Sequence, residues 1–182
     1  GYDGRLALGF PLSERIAIGL SGRYINYRSQ ARNDAGEVVN ATTLRAFTLD
    51  VAARVSPLEG LHIAALGYNL IQTRSPLAPL QLGGGASYTI RDMVTLAADV
   101  LTDLTTFDST TVIYGGGIEL LAAETVPLRI GYRHDDGRGL DQLTASIGYV
   151  DRQLGADLAL RQDIGPGERR SELLFSFRYH VQ

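Results

Sequence analysis

Ten charged residues are the first candidates for chemistry, because each alternates with apolar neighbours along the chain. They are Arg23, Asp50, Arg54, Asp99, Glu119, Arg129, Arg133, Asp157, Arg161 and Arg178. Alternate residues of a β-strand point to the same side, so we expect these charges to share one face of a sheet. Both signs are present in similar number, which leaves two interpretations open. The charges line a pore or ligand channel, or they form ion pairs that brace an interior, where charged groups need partners.

Catalytic and metal chemistry find less support in the sequence. The run His134-Asp135-Asp136 places a histidine beside two carboxylates, but a general base also needs a positioned partner and a nucleophile or water. The segment 135–139 fits a hairpin loop more simply, so we expect no enzyme activity. His62 and His180 are isolated and the chain has no Cys. We therefore predict no metal site and no cofactor.

The segments that carry the charges show a strict period of two, most clearly in the last third of the chain. In the final segment the apolar set alternates with polar residues; the apolar set is Leu173, Phe175, Phe177, Tyr179 and Val181. A soluble β-sandwich buries its large side chains and exposes a polar outer face. Here the second face is mostly Gly, Ala, Ser and Thr with scattered Arg and Asp, which is typical of the inside of a barrel whose apolar face meets lipid.

Eleven such strands can be read along the 182 residues, and no run is long enough for a membrane helix. The predicted strands cover 5–10, 16–24, 47–55, 61–70, 80–90, 94–100, 112–120, 128–133, 142–149, 153–161 and 173–181. Their lengths are close to the roughly 9–11 residues of a membrane-spanning strand. The sequence thus predicts an all-β fold, an antiparallel transmembrane barrel, in which residues 1–182 form a single domain.

The connections between these strands alternate between short and long. The long ones are 29–40, 71–79, 104–110, 135–140 and 163–170, and all fall on one side if the last strand descends to the periplasm. Outer-membrane barrels have short periplasmic turns and longer external loops. This agreement predicts a location in the bacterial outer membrane.

The expected partners follow from that location and from the charge of the chain. Outer-membrane lipid and lipopolysaccharide are the expected surroundings. Arg74, Arg169 and Arg170 in external loops could contact lipopolysaccharide, although solvated loop charge is the simpler interpretation. The net charge of −3 argues against a nucleic-acid partner.

Tyrosines give a further sign of a membrane. Six of them fall on the apolar face, several near strand ends: Tyr24, Tyr88, Tyr114, Tyr132, Tyr149 and Tyr179. Aromatic residues concentrate at the two membrane–water interfaces of barrels. A soluble sandwich would bury tyrosines on the same face, so this pattern supports the barrel without excluding the sandwich.

An odd number of strands raises a question of closure. Bacterial single-chain barrels have even strand numbers, and unpaired strand edges in lipid are costly. We therefore expect that upstream strands or another protein chain complete the barrel. In that case the strand near residues 5–10 is not hydrogen-bonded to the strand at 173–181.

Several segments resemble the C-terminal part of the FadL-like outer-membrane transporters, particularly their PorV-like branch. They are IGLSGRY at 18–24, SPLEGLHI at 56–63, GYNL at 67–70, LGGGASY at 82–88, LRIGYR at 128–133 and FSFRY at 175–179. The resemblance implies a fourteen-stranded barrel with an N-terminal plug, of which this chain supplies the later eleven strands without the plug. It also implies passage or binding of hydrophobic small molecules. The alternative is a non-transporting barrel that anchors or scaffolds a secretion or cell-surface complex.

Overall fold

The protein is described from a computed structural model, which covers residues 1–32, 38–73, 75, 77–165 and 169–179, with the backbone alone between 29 and 42. The described residues form one antiparallel sheet whose strands follow chain order. The strands are β1 (Tyr2–Pro11), β2 (Ile16–Arg32), β3 (Val38–Leu58), β4 (Leu61–Tyr68), β5 (Gln81–Ile90), β6 (Val94–Asp103), β7 (Thr111–Ala122), β8 (Val126–Asp135), β9 (Leu140–Val150), β10 (Leu154–Asp163) and β11 (Ser171–Tyr179). The predicted all-β antiparallel class is confirmed.

The register divides the sheet into two chemically different faces. On one face, which we call the outer face, Leu96 lies opposite Ile118 and Ile118 lies opposite Ile130. On the other, the inner face, Glu119 lies opposite Arg129. Since cross-strand partners point to the same side, the predicted alternation holds along most strands. Exceptions on the inner face of β2–β4 include the apolar residues Ile25, Leu44 and Leu66.

The outer face is apolar but is not covered by protein. Ile130 is 60% exposed and Phe177 is 62% exposed, whereas the buried hydrophobic residues among those described are only Ile25, Leu44 and Ala78. Such an uncovered apolar surface is far larger than a soluble monomer leaves to water. No helix in the described part of the chain is long and apolar enough to cross a membrane.

The six tyrosines lie on the outer face, as predicted. Tyr24 is opposite Phe47 and stacks on Tyr2 at a centroid distance of 5.9 Å. Tyr114 and Tyr132 pack at 6.5 Å. At the other end of the strands, Tyr88, Tyr149 and Tyr179 lie close to the short turns. Aromatic residues therefore border the apolar band at both ends of the strands, as interfacial belts do.

The two edge strands are not joined to each other within the described residues. β1 pairs with β2 and β11 pairs with β10, and the strand order places them at opposite ends. The prediction that these two strands are not hydrogen-bonded is confirmed. The closing residues His180 and Val181 lie outside the described residues.

The prediction of a loop over 29–40 was wrong for most of its length. β2 continues to Arg32 and β3 already begins at Val38, with a register shift at Ala31/Arg32. The remaining residues 33–37 lie outside the described part. The pattern failed here because alternation is required only where the two faces meet different surroundings, and a hairpin beyond the membrane can be polar on both faces.

Smaller differences concern the ends of strands. β1 starts at Tyr2 rather than at Arg5. β3 extends to Leu58, into the connection expected between residues 55 and 61. β4 ends at Tyr68 because Asn69 adopts a left-handed backbone with φ 53°. Asn tolerates this conformation better than most residues.

A pair of neighbouring arginine substitutions tests the assignment of the two faces. Ile147→Arg places a charge on the outer face and should cost about 2–4 kcal/mol at mid-membrane. Ser146→Arg points to the inner face opposite Arg129, whose charge is already compensated by two carboxylates. We expect Ile147→Arg to lower the folded fraction in the membrane and Ser146→Arg to leave it nearly unchanged. Heat-dependent mobility of the extracted protein measures that fraction. Equal effects would contradict the assignment.

Two glycines with positive φ make a second test. Gly60 (φ 77°) and Gly139 (φ 59°) both use the left-handed region, but a methyl group at Gly60 would also collide with the Thr89 carbonyl oxygen, while Gly139 has open space. Gly139→Ala should cost about 1–2 kcal/mol for the backbone alone, and Gly60→Ala should cost more. Urea unfolding in lipid vesicles compares them. A larger effect at Gly139 would show that the turn at Gly60 has another conformation.

Candidate functional site

All ten predicted charged residues lie on the inner face, but the structure separates them into several groups. Arg23 and Asp50 belong to one group on β1–β4. Glu119, Arg129 and Asp157 form a second group on β7, β8 and β10. Arg161 pairs with Glu172 of β11. The strand register places these residues on one face of the sheet without bringing them into a single site.

The group on β1–β4 is a connected hydrogen-bond network. Arg23 donates from Nη2 to Asp3 Oδ2 at 2.6 Å and from Nε to both carboxylate oxygens at 3.1 Å. Its Nη1 lies 3.5 Å from Asn69 Oδ1. The Asn69 backbone N–H donates to Asp50 Oδ1 at 2.8 Å. Arg23 therefore links the edge strand to the point where β4 ends.

Asn69 also begins a segment that folds over the inner face. Its Nδ2 donates to the Pro79 carbonyl oxygen at 2.8 Å, which holds the two ends of the segment together. Thr48 Oγ1 donates to the Ile71 carbonyl oxygen at 3.2 Å. Ala78 packs against Ile25 and Leu44 to form the small buried cluster. The connection predicted at 71–79 thus covers the inner face of β2 and β3.

Two cavities on the inner face border this network. The first, of about 330 Å³, is lined by Tyr2, Asp3, Arg23, Ile25, Asn26, Tyr27 and Leu77, with Gly1 at its edge. We call it the mouth cavity. The second, of about 320 Å³, has inner-face residues of β1–β4 among its lining, including Gly19, Asp50, Ala52 and Leu66. Both volumes are in the lower range of small-molecule sites.

The second charged group is internally satisfied. Arg129 bonds to Glu119 and, through Nη1, to Asp157 Oδ1 at 2.6 Å. Two acids from β7 and β10 therefore flank one arginine on β8. The side chains remain roughly one-third to two-fifths exposed, so the pairs are solvated and each contributes little by itself. Their geometry suits bracing of neighbouring strands.

Other predicted residues have fewer contacts. Arg133 lies 3.8 Å from the Asp135 carboxylate. Within the described part of the chain, Arg54, Asp99 and Arg178 have no ion-pair partner. Asp99 stands between Gly85 and Gly115 on the neighbouring strands, which leaves its carboxylate in an uncrowded region of the inner face.

Three residues of these networks were missed by the sequence reasoning. Asp3 was missed because β1 was predicted to start after it, although Tyr2 and Gly4 continue the alternation. Asn69 was placed inside a strand, and its contact with Pro79 depends on the path of the chain. Glu172 was visible at an inner-face position, and its pairing with Arg161 could have been inferred from the β10–β11 hairpin.

The two described histidines each contact one neighbouring polar side chain. His134 lies on the outer face of β8, where its Nδ1 is 2.7 Å from Asp141 Oδ1, whereas Asp135 is the next residue of the same strand and points to the inner face. Tyr132 donates to the same Asp141 oxygen at 2.6 Å. His62 Nδ1 is 2.7 Å from Ser56 Oγ at a short turn. No group of three or more potential metal ligands occurs among the described residues, and His180 is outside them.

Comparisons with known proteins define the fold. No protein-family model and no curated protein sequence matches the chain. The Ralstonia pickettii toluene transporter TbuX superposes with a TM-score of 0.65 at 11% identity, over 98% of this chain and 69% of TbuX. A Pseudomonas aeruginosa FadL homologue superposes with a TM-score of 0.59 at 11% identity, over 90% of this chain and 59% of the homologue.

These superpositions show that the sheet has the fold of a transmembrane β-barrel wall. The fold of the sheet is the one shared with these two solved structures. At this level of identity the likeness establishes the fold, and the chain spans only about 59–69% of the two neighbours.

The role of Asn69 can be tested with two substitutions. Asn69→Ala removes the side-chain bond to Pro79 and also disfavours the left-handed backbone, whereas Asn69→Gly removes the bond but keeps the backbone accessible. We expect faster hydrogen exchange in 69–80 for both variants, and the larger increase for Asn69→Ala. Exchange measured by mass spectrometry also covers β8–β9, which serves as an unaffected reference. Unchanged exchange in 69–80 would contradict this anchoring role.

Proposed function

We propose that this chain forms part of a FadL-type barrel in the bacterial outer membrane that passes hydrophobic small molecules along its inner face. The observation that carries this proposal is the pair of cavities on the inner face of β1–β4, one at the mouth and one beside it. The second cavity is lined mainly by apolar and small residues, and the mouth cavity combines the apolar surface of Ile25 and Leu77 and two tyrosine rings with polar side chains. A route for hydrophobic molecules needs such a surface, because a fully charged wall would disfavour their desolvated passage.

The charged groups elsewhere on the inner face serve mainly as braces in this proposal. Arg129 holds Glu119 and Asp157, and Arg161 holds Glu172. These contacts join strands that are adjacent or separated by one strand, and they are satisfied without a ligand. Of the two original interpretations, bracing is therefore favoured for the β7–β11 half, and ligand contact is favoured for the β1–β4 half.

The complete barrel and its surroundings are also part of the proposal. Upstream strands or another chain would pair with β1 and β11 and make up a fourteen-stranded wall. Lipopolysaccharide would surround the end of the barrel that carries the exposed Arg169 and Arg170; Arg74 lies outside the described residues. No catalytic role is proposed. The PorV-like branch and its scaffolding role remain predictions, and a toluene transporter among the structural neighbours favours passage instead.

Adjacent alanines on opposite faces of β3 test the proposed route. Ala52→Trp would fill part of the second cavity, whereas Ala53→Trp points to the outer face, opposite Ile18 and Ala65. We expect Ala52→Trp to reduce uptake of a radiolabelled hydrophobic molecule several-fold and Ala53→Trp to leave it near the wild-type rate. Uptake is measured in cells that produce equal amounts of folded protein in the outer membrane. Equal uptake by the two variants would contradict a route along this surface.

A further inference from the structure

The mouth cavity combines apolar walls with one charged side. Ile25, Tyr27 and Leu77 supply apolar surface, and Asp3 and Arg23 supply charge. The Arg23 side chain is only 16% exposed, whereas the Asp3 side chain is 40% exposed. A ligand in this cavity would therefore meet the carboxylate more readily than the guanidinium.

The charges around the cavity balance. Arg5 lies 3.6 Å from Asp3, and Asp50 is connected to the same network through Asn69. Two arginines thus face two aspartates. Three of the short contacts made by Arg23 are already directed to Asp3, so its capacity to bind a further anion is largely used.

A ligand with a negative charge would disturb this balance. It would enter a mostly apolar space beside the Asp3 carboxylate, and it would have to displace that carboxylate to reach Arg23. A pure hydrocarbon would cover the Asp3 oxygens and the Tyr27 hydroxyl without bonding to them, and unsatisfied polar groups are costly. A neutral molecule with one hydroxyl group avoids both costs, because the hydroxyl can donate to an ionised acceptor.

We propose that the mouth cavity selects neutral, largely apolar molecules that carry one hydrogen-bond donor. Asp3 determines this selectivity, and Arg23 holds the Asp3 carboxylate in position. This inference rests on the proposed function for the existence of a ligand, and it names the class of ligand. It assigns a role to Asp3, which neither the sequence pattern nor the comparison with known structures supplies.

The test uses three probes of similar size: 4-ethylphenol, ethylbenzene and 4-ethylbenzoate. Calorimetric titration of the full chain in detergent at neutral pH should show 4-ethylphenol binding about tenfold more tightly than the other two, as one hydrogen bond to a charged group would give. In Asp3→Asn the order of 4-ethylphenol and 4-ethylbenzoate should reverse, because Arg23 loses its carboxylate partner.

Two further variants separate this effect from general damage. Asp3→Asn combined with Arg23→Gln removes one charge of each sign, so weak binding of 4-ethylbenzoate should return. Glu172→Gln deprives Arg161 of its partner at the opposite edge of the sheet. It should leave the binding order of the three probes as in the wild type. Glu172→Gln is a matched control because, like Asp3→Asn, it removes one carboxylate from an ion pair.

The inference is overturned if wild type binds 4-ethylbenzoate as tightly as 4-ethylphenol, if it binds none of the probes, or if Glu172→Gln reverses the order as Asp3→Asn does. Failure of this inference is distinguishable from failure of the proposed passage. Calorimetry measures binding on the purified protein, whereas the comparison of Ala52→Trp with Ala53→Trp measures transport in cells. If the three probes bind in the expected order but Ala52→Trp and Ala53→Trp take up the hydrophobic molecule equally, the ligand class is retained and the proposed route is excluded.

Discussion

Backbone hydrogen bonding is the constraint on which the rest of this structure depends. In lipid, an unpaired N–H or C=O group costs several kcal/mol, so each strand that meets lipid needs neighbours along its length. The continuous series of antiparallel pairs from β1 to β11 satisfies this condition between the two edges. With the backbone paired, the side chains are free to differ between faces, and alternation with a period of two follows directly. Glycine, alanine and serine on the inner face limit crowding, while leucine, isoleucine and the aromatic residues meet lipid.

The same constraint explains why the most irregular part of the sheet is also its candidate site. β4 ends at Tyr68, whereas β3 continues beyond the level of that end. The segment after Asn69 supplies hydrogen bonds in place of a strand: the Leu70 N–H donates to the Leu49 carbonyl, and Thr48 bonds to Ile71. Folding this segment over β2 and β3 creates the only buried hydrophobic cluster among the described residues. A wall that is otherwise one layer thick becomes two layers deep here, and a cavity can form between them.

Sequence reasoning predicted what depends on local alternation and missed what depends on chain path. Phe177 and Arg178 could be assigned to opposite faces because neighbouring residues in a strand must point to opposite sides, and the register agrees. The extension of β2 and β3 was missed because a hairpin outside the membrane has no need of an apolar face. The link from Arg23 to Asp3 could have been inferred from the β1–β2 hairpin, had the strand been extended to Tyr2. The bond between Asn69 and Pro79 could not, since no periodic pattern specifies how a connection returns over the sheet.

The difference between the two halves of the inner face follows from where the charges can find partners. In β7–β11, acids and arginines occupy cross-strand or nearby positions on regular strands, so ion pairs form within the wall and leave little capacity for a ligand. In β1–β4, Arg23 lies next to the end of a strand, and part of its environment comes from the segment after Asn69. The Asp3 carboxylate is held by Arg23 on one side and remains accessible on the other. The paired acids of the β7–β11 half are exposed to a similar extent, so exposure alone does not distinguish Asp3. Its distinguishing feature is the cavity beside it, because Leu77 of the returning segment adds an apolar wall that a single layer of strands does not supply.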